Sequence, residues 1–203
     1  IMRNNLFLNT GTSRFMETAF LCGLAGTDWT WAIKLADLDN DSRVDVFITN
    51  GASRMITDAD ITVTPQMLVG KTEWELWKEQ TTMKEVNLAY RNKGDLQFEQ
   101  TAKPWGLDHE GMSYSAAYGD LDGDGDLDFV VADGQGYSSQ GSALKPRVYI
   151  NDGAGFFTDE TDARISGVTG WFRGVEFGDC DGDGDWDMLL AQDFNERPLL
   201  LIN

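Results

Sequence analysis

Five aspartates occupy alternate positions of the nine-residue segment Asp120-Leu-Asp122-Gly-Asp124-Gly-Asp126-Leu-Asp128. So many like charges in a short segment repel one another unless a cation lies among them. The pattern recurs as Asp179-Cys-Asp181-Gly-Asp183-Gly-Asp185-Trp-Asp187 and, with substitutions, as Asp37-Leu-Asp39-Asn-Asp41-Ser-Arg43-Val-Asp45. In chain order, we call residues 37–45 loop 1, 120–128 loop 2 and 179–187 loop 3. Three copies indicate a repeat protein.

Oxygen ligands at positions 1, 3, 5 and 9, with a backbone carbonyl at position 7, suit Ca²⁺ better than Mg²⁺. Position 7 is an arginine in loop 1, and an arginine side chain cannot ligate a cation, so we predict that this position acts through its carbonyl. The alternative is an Asp/Gly-rich turn that binds no metal. This alternative carries the most weight for loop 1, where Asn40 and Ser42 replace both glycines of the motif. The predicted ligands of three calcium ions are Asp37, Asp39, Asp41, Arg43 and Asp45; Asp120, Asp122, Asp124, Asp126 and Asp128; and Asp179, Asp181, Asp183, Asp185 and Asp187, with Arg43, Asp126 and Asp185 as carbonyl donors.

An EF-hand loop begins in the same way, but it requires a bidentate glutamate at position 12 and a helix after it. Position 12 is Ile48, Val131 or Leu190 in the three loops. The residues after each loop are apolar and largely β-branched or aromatic, which predicts a strand. Each loop is therefore expected to connect two strands.

The chain has a formal charge of −18, and the three loops contain 14 of its 34 acidic residues. Three bound Ca²⁺ ions would reduce the charge to −12. The remaining acidity argues against nucleic acid or an anionic membrane as a partner. No apolar run is long enough to span a membrane, and no signal segment opens the sequence.

The two cysteines, Cys22 and Cys180, lie in non-equivalent parts of different repeats. Two small buried apolar residues are the favoured interpretation, and a disulfide between them is the alternative. The chain begins at Ile1 and stops inside a repeat, which suggests a piece of a longer protein.

Each repeat extends well beyond its loop. An alternating segment precedes the loop, an apolar strand follows it, a third strand ends in asparagine, and a glycine turn leads to a fourth strand with phenylalanine. Four short antiparallel strands per repeat predict an all-β, partial β-propeller. The predicted parts are two outer strands in 1–18, a blade in 30–101 with an insertion at 52–86, a blade in 112–160 and an incomplete blade in 171–203. A propeller of four to eight blades cannot close from these alone, so the parent is longer or copies associate.

The Asp-x-Asp-x-Asp-Gly-x-x-Asp loops, the turns Asn92-Lys-Gly-Asp-Leu-Gln-Phe98 and Asn151-Asp-Gly-Ala-Gly-Phe-Phe157, and Trp105-Gly-Leu resemble FG-GAP/VCBS-type repeats. They are most similar to the secreted acidic propeller proteins of the ASPIC/UnbV (cartilage acidic protein-like) group. The resemblance covers most of the chain apart from residues 52 to 86. It implies a calcium-binding propeller but no particular ligand.

Strand direction places the calcium loops and the glycine turns on one face of the propeller, and the other connections on the opposite face. Candidate partner contacts on that opposite face are Trp29, Arg54, Trp74, Trp77, Trp105, His109 and Trp171. Trp29 and Trp171 occupy the same position of the repeat as Met112. For these two residues, packing between blades is the favoured interpretation. Within the insertion, Thr72 to Glu75 is a capping box that predicts a helix to about Met83, and Pro65 predicts an earlier turn.

With a single histidine, His109, and no zinc, phosphate-loop or nucleophile-elbow motif, the sequence does not indicate an enzyme. The favoured function is a calcium-stabilised, secreted or cell-surface module, extracellular or periplasmic, that binds a protein or carbohydrate. The alternatives are the propeller of a secreted polysaccharide-degrading enzyme and a self-associating architectural module.

Overall fold

The computed structural model describes residues 3–52, 64–72, 75, 83–134, 143–193 and 196–203. Most regular structure in these ranges is short β-strand, as expected for β-branched and aromatic segments between glycine-rich turns. The strands are β1 Phe7–Asn9, β2 Phe15–Glu17, β3 Thr30–Ala36, β4 Asp45–Asn50, β5 Glu85–Val86, β6 Leu88–Asn92, β7 Phe98–Gln100, β8 Glu110–Gly111, β9 Ser113–Gly119, β10 Asp128–Asp133, β11 Arg147–Asn151, β12 Phe157–Asp159, β13 Phe172–Gly178, β14 Asp187–Gln192 and β15 Leu199–Leu201.

The strands form a series of small antiparallel sheets. Blade 1 has the order β3-β4-β6-β7, blade 2 has β9-β10-β11-β12, and blade 3 has β13-β14-β15, while β1 pairs with β2 in an N-terminal hairpin. The ribbon β5-β8 links the end of the insertion to the segment before blade 2. This architecture confirms the predicted all-β fold with propeller-like, four-stranded blades. The short helices Pro65–Leu68, a 3₁₀ turn, and Thr161–Arg164 lie in the connections.

The second strand of each complete blade is buried on both faces, because a neighbouring blade or, for blade 1, the N-terminal segment covers each side. In β10, Phe129 and Val131 pack with Phe47 of blade 1, while Val130 packs with Leu190 of blade 3. The rings of Phe47 and Phe129 are 4.7 Å apart. Successive side chains of this strand therefore point into two different interblade cores, and neither face of the strand is left to solvent.

Blade 3 has one face that points away from blade 2, which we call the far face. No other blade covers this face among the described residues. Leu189 and Leu200 are 45% and 49% exposed, whereas Phe47, in the register of Leu189, is fully buried. Cys180 lies on the same side, in the position that Leu38 fills in loop 1, and it is exposed where Leu38 is 1% exposed. The prediction of a buried Cys180 is therefore wrong, and that of a buried Cys22 is confirmed. Both cysteines are free, so the disulfide alternative is not formed.

The insertion begins as the sequence predicts. Pro65 opens the 3₁₀ turn, and the reciprocal capping-box bonds are present: the Thr72 N–H donates to Glu75 Oε2 at 2.7 Å, and the Glu75 N–H donates to Thr72 Oγ1 at 3.3 Å. Met83, the predicted end of the helix, instead pairs with Ala52 in a β-bridge. Other residues of that helix lie outside the described ranges. Within those ranges, no helix is both long and apolar enough to cross a membrane.

Candidate functional site

The aspartate at position 1 organises the turn of each loop through backbone hydrogen bonds. In loop 2, the Asp120 carboxylate accepts the N–H groups of Gly123 at 2.8 Å and Gly125 at 3.1 Å. Asp179 makes the same two bonds in loop 3. The chain thus curls around one carboxylate and brings the later aspartates towards it.

This curl requires left-handed backbone at positions 4 and 6. Gly123 and Gly125 have φ of +80° and +95°, which glycine adopts without steric cost. Asn40 and Ser42 adopt φ of +54° and +67° at the equivalent positions. Loop 1 therefore keeps the same backbone conformation without glycine. One of its two left-handed residues is an asparagine, a residue type that tolerates positive φ better than most.

The aspartate at position 9 ties its loop to the third strand of the same blade. In loop 2, the buried Asp128 accepts the N–H groups of Leu121 at 2.7 Å and Asn151 at 2.8 Å. Asp45 and Asp187 make equivalent bonds, to Leu38 and Asn92 and to Cys180 and Asn203 respectively. The asparagine that ends each third strand is thus part of the loop structure, a role that its recurrence in the sequence could have indicated.

Burial raises the pKa of Asp45 and Asp128 to about 6, although their N–H bonds act in the opposite direction. The pKa of Asp187 is instead lowered by the N–H groups of Asn203 and Cys180. Asp187 is equally inaccessible to water, and the difference lies in the protein atoms around it, because no described blade covers loop 3. Without a cation, Asp128 therefore keeps its proton to a higher pH in the folded protein than in an unstructured chain.

Three carboxylates converge in each loop, with ligand oxygens within 4.8 Å of one another. The groups are Asp37, Asp39 and Asp41 in loop 1, Asp120, Asp122 and Asp128 in loop 2, and Asp179, Asp181 and Asp187 in loop 3. Carboxylate oxygens are the hard donors that a divalent cation such as Ca²⁺ prefers, so each group could hold a metal ion. Loops 2 and 3 bring together positions 1, 3 and 9, and loop 1 brings together positions 1, 3 and 5.

The remaining predicted ligands make other contacts. Position 5 of loops 2 and 3, Asp124 and Asp183, accepts the N–H of the residue two positions later at 3.0 Å. The Asp126 side chain accepts a hydrogen bond from Asn40 of loop 1 at 2.6 Å. Asn40 also donates to the Gly153 carbonyl at 3.2 Å. The loops and glycine turns therefore share one end of the blades, as strand direction predicts.

Loop 1 carries cations of its own. Arg91 Nε lies 2.5 Å from Asp39 Oδ2, and Arg91 Nη2 lies 3.2 Å from Asp41 Oδ2. Arg43 also pairs with Asp41. These two arginines neutralise carboxylates that the sequence assigns to calcium. The contribution of Arg91 was missed because it comes from the third strand, outside the loop motif.

The proposed partner residues are in different environments. Trp105 is only 7% exposed and packs against Phe157 in the core between blades 1 and 2, with ring centroids 6.5 Å apart. Trp105 therefore packs inside the propeller. This corrects the prediction that Trp105 contacts a partner. Trp29 and Trp171 are partly buried. Arg54, Trp74 and Trp77 lie outside the described residues.

His109 belongs to a polar network that joins blades 1 and 2. Its Nε2 lies 2.9 Å from Asp133 Oδ2, and Ser113 Oγ donates to Asp133 Oδ1 at 2.7 Å. Asn87 Nδ2 donates in turn to Ser113 Oγ at 3.0 Å. Asp133, Ser113 and Asn87 are all buried. The arrangement holds His109 in place by a local hydrogen bond.

Comparison with known protein families identifies the repeat. Residues 80–131 and 120–190 match the FG-GAP-like repeat, and together the two segments cover more than half of the 203 residues. Loop 2 lies at the overlap of the two segments, and loop 3 lies within the second. A search of curated proteins finds no match. The family match and the antiparallel blades agree, and the chain therefore belongs to the FG-GAP-like repeat family.

Proposed function

We propose that this chain is a calcium-stabilised extracellular β-propeller module that binds a protein or a glycan and has no catalytic role. The observation that carries the proposal is the convergence of three carboxylates in each loop that joins the first two strands of a blade. FG-GAP-like repeats often bind Ca²⁺ and are typically extracellular, which supports the same assignment.

The position of the clusters favours a structural role for calcium. Each loop connects the first strand of a blade to the second, and loops 1 and 2 also touch each other through Asn40 and Asp126. A bound cation would cancel the repulsion among the carboxylates and fix these turns. Three carboxylates of one turn would hold the ion, so we assign it the role of fixing that turn and not of activating a substrate.

The thermodynamic consequence is a stability that depends on free calcium. A ligand that binds only the folded state at 100 times its Kd stabilises that state by about 3 kcal/mol per site. Loops whose side-chain ligands are all aspartates belong with the weaker calcium sites of extracellular modules, which suit millimolar calcium.

Thermal unfolding with millimolar calcium and with excess chelator tests this proposal. We expect a higher melting temperature in calcium, and a smaller increase in the variants Asp122→Asn and Asp181→Asn. Asp108→Asn is the matched control, because Asp108 is an exposed aspartate outside the loops. Superimposable melting curves with and without chelator would contradict a structural role for calcium.

Self-association is the second candidate function. The exposed far face of blade 3 has the alternation of an interblade face, with Leu189 and Leu200 on its free side. Such a surface fits another blade of the same kind, so a second copy of the chain is the partner that we propose for it.

A further inference from the structure

The ends of the first strands that are remote from the calcium loops form a cleft across all three blades. Trp31, Tyr114 and Arg173 occupy one register, each six residues before the first aspartate of its loop, at residues 37, 120 and 179. β3 contacts β9, and β9 contacts β13, so these side chains come together. With Gln192 and Asp193 they line a cavity of about 390 Å³, within the size range of small-ligand sites.

Tyr114 supplies the observation that points to a ligand. Its side chain is 7% exposed, and its buried hydroxyl has no hydrogen-bond partner among the described residues. A buried hydroxyl without a partner is destabilising, and buried tyrosine hydroxyls usually find one. Tyr114 lines the cleft, so a ligand that brings a polar group to this hydroxyl would provide the missing partner.

The other side chains of the cleft provide charged and amide hydrogen-bonding groups. The Arg173 guanidinium lies 3.8 Å from the centre of the Tyr114 ring, and its Nε lies 3.2 Å from Asp193 Oδ2. Gln192 lies beside Asp193. Its amide donates to the Arg197 carbonyl at 2.8 Å and accepts the Trp171 N–H at 3.4 Å, so within the described part of the chain one amide hydrogen and one oxygen lone pair remain for a ligand. Donors and acceptors thus stand side by side, as recognition of neighbouring hydroxyl groups requires.

Trp31 provides an apolar surface. Its indole N–H donates to the Gly51 carbonyl, which fixes the ring, and its ring centre lies 4.8 Å from that of Tyr114. The side chain nevertheless stays 39% exposed. An anchored, half-exposed indole beside polar groups is suited to stacking against the apolar face of a flat ligand ring.

We propose that this cleft binds a neutral pyranose residue of a glycan, with the sugar ring against Trp31 and its hydroxyls on Tyr114, Arg173 and Asp193. The inference rests on the proposed binding function and names its site and ligand class. Asp193 and the chain's charge of −18 disfavour an acidic sugar. Arg173 lies over the Tyr114 ring and disfavours a cation there.

The test is binding of the whole chain, in millimolar calcium, to immobilised neutral oligosaccharides of glucose, galactose, mannose, fucose and N-acetylglucosamine. Oligomers of glucuronate and galacturonate form the acidic arm. Affinity for the neutral sugars that bind is then compared among Tyr114→Phe, Trp31→Ala and Phe156→Ala. Phe156 is the control because it is an exposed aromatic residue in the glycine turn at the opposite end of blade 2.

We expect binding to neutral glycans only, with an affinity about tenfold lower in Trp31→Ala, as for the loss of one stacking contact. Tyr114→Phe should lose a similar factor while its melting temperature stays equal or rises, because the substitution removes a hydroxyl that has no partner among the described residues. Phe156→Ala should bind as the unaltered chain does.

Three results would overturn the inference: no binding to any neutral glycan, preference for the acidic oligomers, or equal affinity in all three variants. None of them would affect the calcium-dependent melting temperature, on which the proposed calcium-stabilised module depends. A loss of that dependence would refute the proposed function separately. A fall in the melting temperature of Tyr114→Phe would indicate that the hydroxyl is structural, against the inference.

Discussion

At the scale of single residues, the position-9 aspartates show how a carboxylate can serve both a fold and a metal. Asp128 holds two N–H groups from separate segments, and its oxygens also belong to the cluster of loop 2. The backbone bonds keep the group in place, and burial makes its charge unfavourable. A cation and a proton therefore compete for the same buried carboxylate.

A pH titration of the calcium-free protein should reveal this competition. Burial raises the pKa of Asp128 to about 6, above the value of 3.8 for the unstructured residue. Because the folded value is the higher one, Asp128 contributes stability below a pH of about 4 and loses it as the pH rises through about 6. Carbon NMR of the Asp128 carboxyl should show this midpoint, and added calcium should lower it. A midpoint near 4 in the calcium-free protein would refute the effect of burial.

The arginines of loop 1 make a different prediction. Because Arg91 pairs with Asp39 and Asp41, it opposes the binding of a divalent cation to these carboxylates. Arg91→Gln should strengthen calcium binding to loop 1 by about tenfold, a modest factor because the arginine is partly exposed. Titration calorimetry in a background of Asp122→Asn and Asp181→Asn would isolate this site.

Lys93→Gln is the matched control for Arg91→Gln. Lys93 lies two residues further along and pairs with Glu99 instead of a loop carboxylate. Equal calcium affinity in the two variants would show that Arg91 does not compete with the metal.

At the scale of elements, the turn after β7 joins blade 1 to blade 2 at very close range. Gly106 has φ of +75°, and a Cβ at this residue would lie 2.4 Å from the Phe157 carbonyl oxygen. Gly106→Ala should therefore combine backbone strain with a backbone clash, and we expect it to lower the free energy of unfolding by about 3 kcal/mol.

Gly94→Ala separates the two effects. Gly94 has a similar φ of +82°, but an added Cβ would meet no atom within 4 Å. Only the strain remains, and we expect a loss of about 1 kcal/mol. Urea unfolding of both variants in calcium would measure the difference, and equal losses would exclude a clash between the blades.

The sequence was sufficient to predict the elements but not all of their surroundings. Alternation, glycine turns and repeated loops are local signals, so the order of four strands and the shared end of the loops were predictable. Trp105, Cys180 and Arg91 were misjudged or missed because their environments depend on which blade packs beside them. The register of Trp31, Tyr114 and Arg173 was visible in the repeats, but their convergence required the distances between blades.

At the scale of the whole molecule, the far face of blade 3 predicts association. Leu189 is 45% exposed, whereas its counterparts Phe47 and Val130 are fully buried under neighbouring blades. We expect a concentration-dependent increase in mass by light scattering, and its loss in Leu189→Lys because a charge cannot enter such an interface unpaired. Val69→Lys, at another exposed aliphatic residue, is the control. A strict monomer at all concentrations would refute the association.

The amide of Asn151 has a consequence for how the molecule can be divided. It donates to the Leu127 carbonyl of its own blade and to the Leu38 carbonyl of blade 1, while the Asn151 N–H is bound by Asp128. A blade separated from its neighbour leaves the Leu38 carbonyl without this donor and exposes half of an interblade core. A single blade is therefore not expected to be stable on its own, and truncations of this chain should keep neighbouring blades together.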